Sequence, residues 1–556
     1  MRSLDFKPEF FSSIKNYSKS TFTSDLMAGT IVGIVALPLA IAFAIASGVP
    51  PEKGIITAII AGFFVSFLGG SKVQIGGPTG AFIVIVYGVV QQYGLGGLAI
   101  ATILAGVLLV LLGVFKLGTV IKFIPYPVVV GFTSGIALTI FTTQIPDVLG
   151  LDFAGEQVPG DFIGKWSLYF KHLGTVDWIN AAVCIVSVLI IAIVPRFSKR
   201  VPGSLVAIIF VTIAVYLLKQ FAGVSVDTIG DRFSISSSLP HADMPALDWE
   251  AIKSLFPIAV TIAALGAIES LLSATVADGM ISGRHNSNTE LVALGIANII
   301  TPIFGGIPAT GAIARTMTNI NNGGKTPVAG IIHAVVLFLI LLFLMPLAKY
   351  IPMACLAGVL VVVSYNMSGW RTFKALLNNP KSDVAVLLIT FVLTVVFDLT
   401  VAISVGLILA CVLFIRRVME TTEISVIKNE IDVHKETDFQ TNEENLIIPK
   451  GVEVYEINGP YFFGVASQFE ELASRSRGTK VRIIRMRKVP FIDSTGIHNL
   501  TNLCMMSRKS NVTVVLSGVN EKVHDVLARS GFYDMLGKEN ICPNINVALS
   551  RAEQLL

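Results

Sequence analysis

Apolar residues fill the first three quarters of the chain in long runs that recur at short intervals. A helix needs about 20 apolar residues to cross a bilayer, and fewer where protein buries part of it. On this basis residues 26–417 predict a helical membrane domain with fourteen spans, seven in each half. They lie at about 26–47, 54–69, 74–91, 95–115, 126–145, 177–195 and 203–221, then 255–278, 288–304, 309–321, 326–349, 351–367, 383–398 and 400–416.

The rest of the chain has a different pattern. Residues 418–448 predict a polar linker, and residues 449–556 predict short strands that alternate with helices. The strands are expected at Val452–Ile457, Val481–Met486 and Val512–Ser517, and the helices at Ser467–Ser474, Ser494–Lys509 and Glu521–Ser530. This alternation is typical of an α/β domain.

Composition supports lipid as the solvent of the first part. Hydrophobic residues make up 53% of the 556 positions and charged residues only 14%, whereas soluble domains carry about 25% charged residues. The net charge of +4 is too small and scattered to indicate nucleic acid as a partner. The five cysteines have no metal-ligand spacing, and no catalytic constellation is visible. We therefore expect no enzyme, no metal centre and no cofactor.

Loop charges predict the orientation in the membrane. Lysine and arginine recur in alternate loops, while the long loop at about 146–176 carries Asp147, Asp152, Glu156 and Asp161. Because basic loops stay in the cytoplasm, this loop is expected outside. Residues 1–25 contain no apolar signal-peptide core. Because the number of spans is even, residues 1–25 and the C-terminal domain are expected on the same side of the membrane, in the cytoplasm. The expected location is the bacterial inner membrane.

Two short segments about 230 residues apart resemble each other. Residues 76–82 read Gly-Gly-Pro-Thr-Gly-Ala-Phe in the third span, and residues 305–312 read Gly-Gly-Ile-Pro-Ala-Thr-Gly-Ala before the tenth. With seven spans in each half, about 26–221 and 255–416, the two segments correspond in an inverted repeat. Such a pair predicts a secondary transporter in which broken helices meet near the bilayer midplane.

Two helix N-termini that face each other favour an anion. Each leaves free N–H groups and carries roughly half a positive charge from the macrodipole. Thr79 and Thr310 add hydroxyl donors, and Gly80 lets a ligand approach the backbone. The alternative is that glycine and proline are merely common in membrane helices.

Charged residues at membrane depth are expensive and usually functional. Glu269 lies inside the eighth span and Arg315 a few residues into the tenth helix. One hypothesis is that Arg315 attracts the anion while Glu269 binds a coupling cation, with Ser273 one turn away on the same face. The alternative is an Arg315–Glu269 ion pair that only closes the bundle.

The membrane region resembles the sulfate permease (SulP) family of anion transporters. The resemblance rests on residues 22–26, 35–43, 77–79, 305–316 and 323–326. It implies a seven-plus-seven repeat with a core domain that binds substrate and a gate domain that forms a homodimer. Substrate would contact Thr79, Thr310, Gly311, Ala312, Ala314 and Arg315, with Phe43 as an apolar wall. A similar bicarbonate transporter has an acidic residue that contributes to Na⁺ coordination and a hydroxyl residue beside it. These two residues correspond to Glu269 and Ser273 of this chain. Leu39 replaces a first-helix carboxamide or carboxylate found in some members, which leaves Glu269 to couple transport.

Residues 491–496, Phe-Ile-Asp-Ser-Thr-Gly, resemble the STAS domain. In related domains the second hydroxyl residue of this motif is phosphorylated, which corresponds to Thr495, with Ser494 beside it. The alternative is that Asp493 and Ser494 only cap a helix. The domain could also recruit a soluble partner protein.

These features predict secondary active transport of small anions by an elevator movement. Residues 265–272 look most like the C4-dicarboxylate member, so H⁺-coupled dicarboxylate uptake is the first hypothesis. Sodium-coupled bicarbonate or sulfate uptake and an anion channel remain alternatives. A nucleobase transporter shares the repeat, but Arg315 and the STAS tail argue against it.

Overall fold

Long apolar runs become helices because, in a bilayer, only a helix satisfies the backbone polar groups within one segment. The computed structural model describes the chain except for residues 1–5, 16, 119–124, 157, 160, 198–201, 224–225, 234–241, 244–248, 398, 428–429, 432–445 and 465–477. The chain divides into two compact units, Met1–Ala410 and Cys411–Leu556.

The first unit is helical. Its helices are α1 (Glu9–Ile14), α2 (Lys19–Ala46), α3 (Pro51–Leu68), α4 (Ile83–Val114), α5 (Tyr126–Leu149), α6 (Phe162–Lys171), α7 (Trp178–Phe197), α8 (Gly203–Ala222), α9 (Ile229–Arg232), α10 (Trp249–Ile281), α11 (Ser287–Ile303), α12 (Ile313–Asn321), α13 (Val328–Phe343), α14 (Met345–Ala348), α15 (Met353–Ser368), α16 (Trp370–Leu376), α17 (Lys381–Val396) and α18 (Leu399–Thr421), the last of which continues into the second unit.

Each of the fourteen predicted segments contains a helix. The third and fourth predicted spans share α4, which bends at Gly94, where φ is +68°. Glycine tolerates this backbone conformation, and the helix is interrupted there, between the third and fourth predicted spans. Among the described residues, eight helical stretches are long and apolar enough to cross a membrane on their own. The spans predicted at 288–304, 309–321, 326–349 and 383–398 contain shorter helices, of 17, 9, 16 and 16 residues.

The membrane helices pack in two groups. The core group comprises α2, α3, α4, α10, α11, α12 and α13, and the gate group comprises α5, α7, α8, α15, α17 and α18. Glycines permit very close crossings inside each group. A Cβ on Gly106 would lie 2.7 Å from the Gly295 carbonyl oxygen in the core group, and one on Gly131 would lie 2.5 Å from the Leu387 carbonyl oxygen in the gate group.

The C-terminal unit is an α/β layer, as predicted. Its five-stranded sheet has the order β3-β6-β7-β8-β9. The strands of this sheet are β3 (Glu423–Ile427), β6 (Val452–Asn458), β7 (Val481–Arg485), β8 (Thr513–Ser517) and β9 (Ile541–Cys542), and the helices are α19 (Ser494–Lys509), α20 (Glu521–Arg529), α21 (Phe532–Leu536) and α22 (Ile545–Leu555). A separate pair is formed by β4 (Glu430–Ile431) and β5 (Leu446–Ile447). The strands β1 (Gly76–Gly77) and β2 (Thr310–Gly311) belong to the membrane unit.

The polar linker predicted over 418–448 begins with regular secondary structure that the sequence analysis did not predict. Helix α18 continues to Thr421, and β3 then pairs antiparallel with β6, whereas β6, β7, β8 and β9 are parallel. A five-residue edge strand gives little periodic signal, so only its pairing partner identifies it. The helix predicted at Ser467–Ser474 lies outside the described residues.

Candidate functional site

The two segments that resemble each other in sequence meet in the structure. Strand β1 (Gly76–Gly77) pairs antiparallel with β2 (Thr310–Gly311), so that Gly76 opposes Gly311 and Gly77 opposes Thr310. The Ala312 N–H also donates to the Ile75 carbonyl oxygen at 2.8 Å. Two extended stretches inside a helical bundle leave backbone groups to satisfy, and each stretch satisfies the other.

A helix begins directly after each strand. A 3₁₀ turn at Gly80–Phe82 leads into α4, and α12 starts at Ile313. Neither start has a side-chain cap. The first N–H groups of both helices therefore remain available to a ligand, which is the arrangement that favours an anion.

Residues from both helix groups surround this crossing. A Cβ on Gly80 would lie 3.0 Å from Met367 Sδ and 3.2 Å from Ile140 Cδ1, both in the gate group, and 3.5 Å from Phe43 Cε1 in the core group. Phe43 is buried, as expected of an apolar wall, while Ala314 is exposed. Of the predicted substrate residues, Gly80 and Phe43 thus lie at the boundary between the two groups.

Thr79 and Glu269 are directly linked. The Thr79 hydroxyl donates to Glu269 Oε2 at 2.8 Å, and both side chains are half-buried. The residue proposed to donate to the anion therefore also contacts the residue proposed to bind the coupling ion. This contact joins α10 to the segment that precedes α4.

Arg315 does not pair with Glu269. Its side chain is buried, and Nη2 donates to the Pro78 carbonyl oxygen at 2.9 Å. Within the described part of the chain, Nη1 has no hydrogen-bond partner and no carboxylate lies within 4.0 Å of the guanidinium. The alternative of an Arg315–Glu269 ion pair is therefore wrong for this conformation, and the positive charge stays uncompensated behind the site.

The hydroxyl groups of two other predicted site residues, Thr310 and Ser273, already form hydrogen bonds within the protein. Thr310 Oγ1 donates to the Gly266 carbonyl oxygen at 2.8 Å, and Ser273 Oγ bonds to Thr316 Oγ1 at 3.2 Å. Both Thr310 and Ser273 are fully buried. Of the three hydroxyl residues predicted at the membrane site, Thr79 is the one that is partly exposed and bonds to Glu269.

Sequence reasoning missed a set of buried amides that hold the crossing. Gln74 Nε2 donates to Ser270 Oγ at 2.7 Å, and the Asn298 side chain both accepts from the Ala309 N–H and donates to the Ala309 carbonyl oxygen. Gln74 also lies so close to Gly311 that a Cβ there would overlap its amide. Gln74 and Asn298 could have been noticed in the sequence, because each is an isolated amide residue within an apolar run.

In the C-terminal unit the Asp493 side chain caps α19. Its Oδ1 accepts from the Gly496 N–H at 2.7 Å and its Oδ2 from the Phe463 N–H at 3.2 Å. Ser494 and Thr495 are both exposed in the first turn of the helix. The capping hypothesis therefore holds for Asp493, and both hydroxyls are accessible to a modifying enzyme.

The starts of α4 and α12 meet beside the crossing of β1 and β2, next to the gate group. This is the arrangement of a membrane transporter of the inverted-repeat class. Residues 22–390 match the sulfate permease family and residues 445–548 match the STAS domain. The chain belongs to the sulfate permease family, whose members are anion transporters and not enzymes.

Two relatives agree with this assignment, and a solved structure has the same fold. The chain is 41% identical over 534 residues, 96% of its length and 98% of the other protein's, to the Bacillus subtilis (strain 168) protein named "Putative sulfate transporter YvdB". It is 30% identical to the bicarbonate transporter BicA of Picosynechococcus, covering 86% of this chain and 85% of that one. Murine Slc26a9 in the inward-facing state has the same fold, with a TM-score of 0.86 at 19% identity over 99% of this chain and 94% of that chain.

Proposed function

We propose that this protein takes up a small anion by secondary active transport, with H⁺ as the coupling ion at Glu269. A C4-dicarboxylate is the proposed substrate, the bacterial inner membrane the proposed location, and both termini lie in the cytoplasm. The observation that carries the coupling proposal is the 2.8 Å hydrogen bond from Thr79 to Glu269.

The bond suggests how proton and anion binding depend on each other. When Glu269 is ionised, the Thr79 hydroxyl donates its proton to the carboxylate, whose negative charge also repels an approaching anion. When Glu269 is protonated, the carboxyl group can donate instead, and the Thr79 hydroxyl is free to donate to the anion. A proton therefore precedes or accompanies the anion into the site.

Arg315 would act on the anion at a distance. Its bond to the Pro78 carbonyl holds the guanidinium directly behind the segment that presents Thr79. A buried charge is screened far less than an exposed one, so its attraction for an anion at the helix starts persists without contact. Arg315 would also keep Pro78 and Thr79 in place.

The proposed movement is a displacement of the core group against the gate group. The site residues on β1, β2, α10 and α12 all belong to the core group, so they would travel together and carry the ligand. The gate-group atoms nearest to a Cβ on Gly80 are the flexible side-chain ends of Met367 and Ile140. Such contacts can be exchanged without unfolding a helix.

A second candidate is sodium-coupled uptake of bicarbonate or sulfate. The names of the YvdB and BicA relatives favour these anions, whereas the resemblance of residues 265–272 favours a dicarboxylate. A sodium ion prefers oxygen ligands, and Glu269 with Thr79 supplies two. Ser273 is less suited than predicted, because its hydroxyl already bonds to Thr316.

The test is uptake of radiolabelled succinate, bicarbonate and sulfate into liposomes that contain the purified full chain. Each anion is offered with an inward proton gradient, an inward sodium gradient or neither. Saturable succinate uptake driven by protons supports the first proposal. Sodium-driven bicarbonate or sulfate uptake replaces it with the second, and flux without saturation or response to either gradient would indicate a channel.

Matched variants test the site. Glu269→Gln keeps an acceptor for Thr79 but cannot titrate, so we expect gradient-driven uptake to fall by at least about tenfold while substrate exchange persists. Thr79→Ser should retain uptake and Thr79→Val should lose it. Full gradient-driven accumulation by Glu269→Gln would remove Glu269 from the coupling.

The C-terminal domain would serve as a regulatory module of a homodimeric transporter. A phosphate on Thr495 would lie at the start of α19, where the helix dipole and free N–H groups favour negative charge. Such a modification is therefore compatible with the fold and would change the surface presented to a soluble partner.

A further inference from the structure

Lys165 is a buried lysine without a counter-ion. It lies on α6, in the loop predicted to be outside, and its side chain is 6% exposed. No carboxylate oxygen lies within 4.0 Å of its ammonium group, and no hydrogen-bond acceptor is in range, among the residues that the structure describes. A lysine is almost never buried unless it is paired, so this placement calls for a reason.

The ammonium group faces an aromatic ring of the other helix group. Lys165 Nζ lies 5.5 Å from the centroid of Tyr87, which belongs to α4 in the core group. Gly48, just after the end of α2, also lies against that ring, because a Cβ there would lie 3.2 Å from Tyr87 Cδ2. Helix α6 itself packs against α5 and α17 of the gate group. The contact therefore bridges the two groups.

The acidic residues nearby are engaged elsewhere. Asp147 pairs with Arg232 at 2.6 Å, and Asp161 caps α6 by accepting from the Gly164 N–H. Burial lowers the pKa of Lys165, and the charge of Asp161 offsets this lowering in part. The contact with Tyr87 replaces only a small part of the lost hydration, because a cation–π interaction is much weaker than the hydration of an ammonium group. The lysine is better accommodated in any conformation that returns it to water.

We propose that Lys165 is a state-dependent anion attractor at the outer entrance. While Tyr87 and Lys165 are in contact, the ammonium group is held against the ring and the outer path beside them is closed. When the core group moves, Tyr87 leaves with it, and the exposed ammonium group draws anions from outside toward the site. Lys165 thus favours capture from one side of the membrane only.

This inference rests on the proposed movement of the core group. It is tested by the external KM, whereas the coupling proposal is tested by the response of uptake to the driving gradient. Lys165→Gln should raise the external KM for uptake by about twofold to tenfold while the KM for efflux from the inner side and the response to the driving gradient are unchanged. Lys165→Arg should restore the external KM. The effect should shrink at high ionic strength, since salt screens an exposed charge.

Chemical rescue distinguishes charge from packing. In a Cys411→Ser background, which removes the one exposed cysteine among the five, Lys165→Cys is treated from outside with a trimethylammonium thiol reagent or with a neutral methyl reagent. Restoration of the external KM by the cationic reagent alone supports the proposal. Equal effects of the two reagents, or equal KM changes on both sides, would overturn it.

Discussion

At the scale of single residues, the site depends on one glycine. A Cβ on Gly77 would lie 2.1 Å from Arg315 Nη1, far inside van der Waals contact. Gly77 therefore admits the guanidinium to the place from which it bonds the Pro78 carbonyl. A change that displaces the Arg315 guanidinium is therefore expected to move the segment with Pro78 and Thr79 as well.

We predict that Gly77→Ala lowers anion uptake by at least about tenfold, because the methyl group displaces the guanidinium and moves Pro78 and Thr79 with it. Gly88→Ala is the matched control on α4, since a Cβ there meets nothing within 4 Å. Gly88→Ala should transport normally. Uptake rates normalised to protein in the liposomes measure both. Normal transport by Gly77→Ala would show that the position of Arg315 is unimportant.

At the scale of elements, Asp25 fastens the start of α2 to the turn before α13. Its buried carboxylate accepts from the N–H groups of Lys325 and Thr326, from the Thr326 hydroxyl and from the Tyr17 hydroxyl. These donors converge from two parts of the chain 300 residues apart. An asparagine in place of Asp25 would direct its NH₂ group, which is itself a donor, at some of these donors, so that hydrogen bonds would be lost.

We predict that Asp25→Asn lowers the free energy of unfolding by about 1–3 kcal/mol, whereas Tyr17→Phe, which removes one bond, has a smaller effect. Thermal melting of the purified chain measures both. Equal melting temperatures for the wild type and Asp25→Asn would contradict this role.

The Tyr17 contribution should depend on pH. Burial, and then the bond to Asp25 and its charge, raise the pKa of Tyr17 from 10.0 to about 12. The unfolded chain therefore loses this proton at a lower pH than the folded chain does. The difference in melting temperature between wild type and Tyr17→Phe should stay constant up to about pH 9 and shrink as the pH rises from about 10 toward 12. A constant difference up to pH 11 would contradict it.

At the scale of the whole membrane unit, close and loose packing are separated in space. Backbone-close glycine crossings such as Gly106 with Gly295, or Gly131 with Leu387, lie inside one helix group. Between the groups, by contrast, the atoms nearest to a Cβ on Gly80 are the side-chain ends of Met367 and Ile140. Close-packed backbones move as one body, whereas flexible side-chain ends can slide.

We therefore predict opposite outcomes for two glycine substitutions. Gly106→Ala should lower the melting temperature strongly, because its methyl group meets the backbone of α11. Gly80→Ala should melt nearly as the wild type does but transport more slowly, because it meets Met367 and Ile140 at the boundary of the two groups. If both variants melted equally early, the two groups would form one rigid body.

Much of the fold followed from local sequence. Lipid requires long apolar helical runs, so the spans were visible without knowing what they pack against. The bend at Gly94 and the start of α19 after Asp493 were also locally encoded. Strand β3 was missed because a short edge strand has no pattern of its own.

The chemistry of the site was only half predictable. Sequence by itself determined the matched Gly-Pro-Thr segments, the membrane-depth Glu269 and Arg315, and the α/β tail, since each is a statement about residue type and spacing. Only the tertiary structure decided that Thr79 bonds to Glu269 across 190 positions, that Arg315 bonds to the Pro78 carbonyl, and that Lys165 is buried against Tyr87. The physical reason is that a polar side chain in an apolar interior takes whichever partner the packing of distant helices brings within reach.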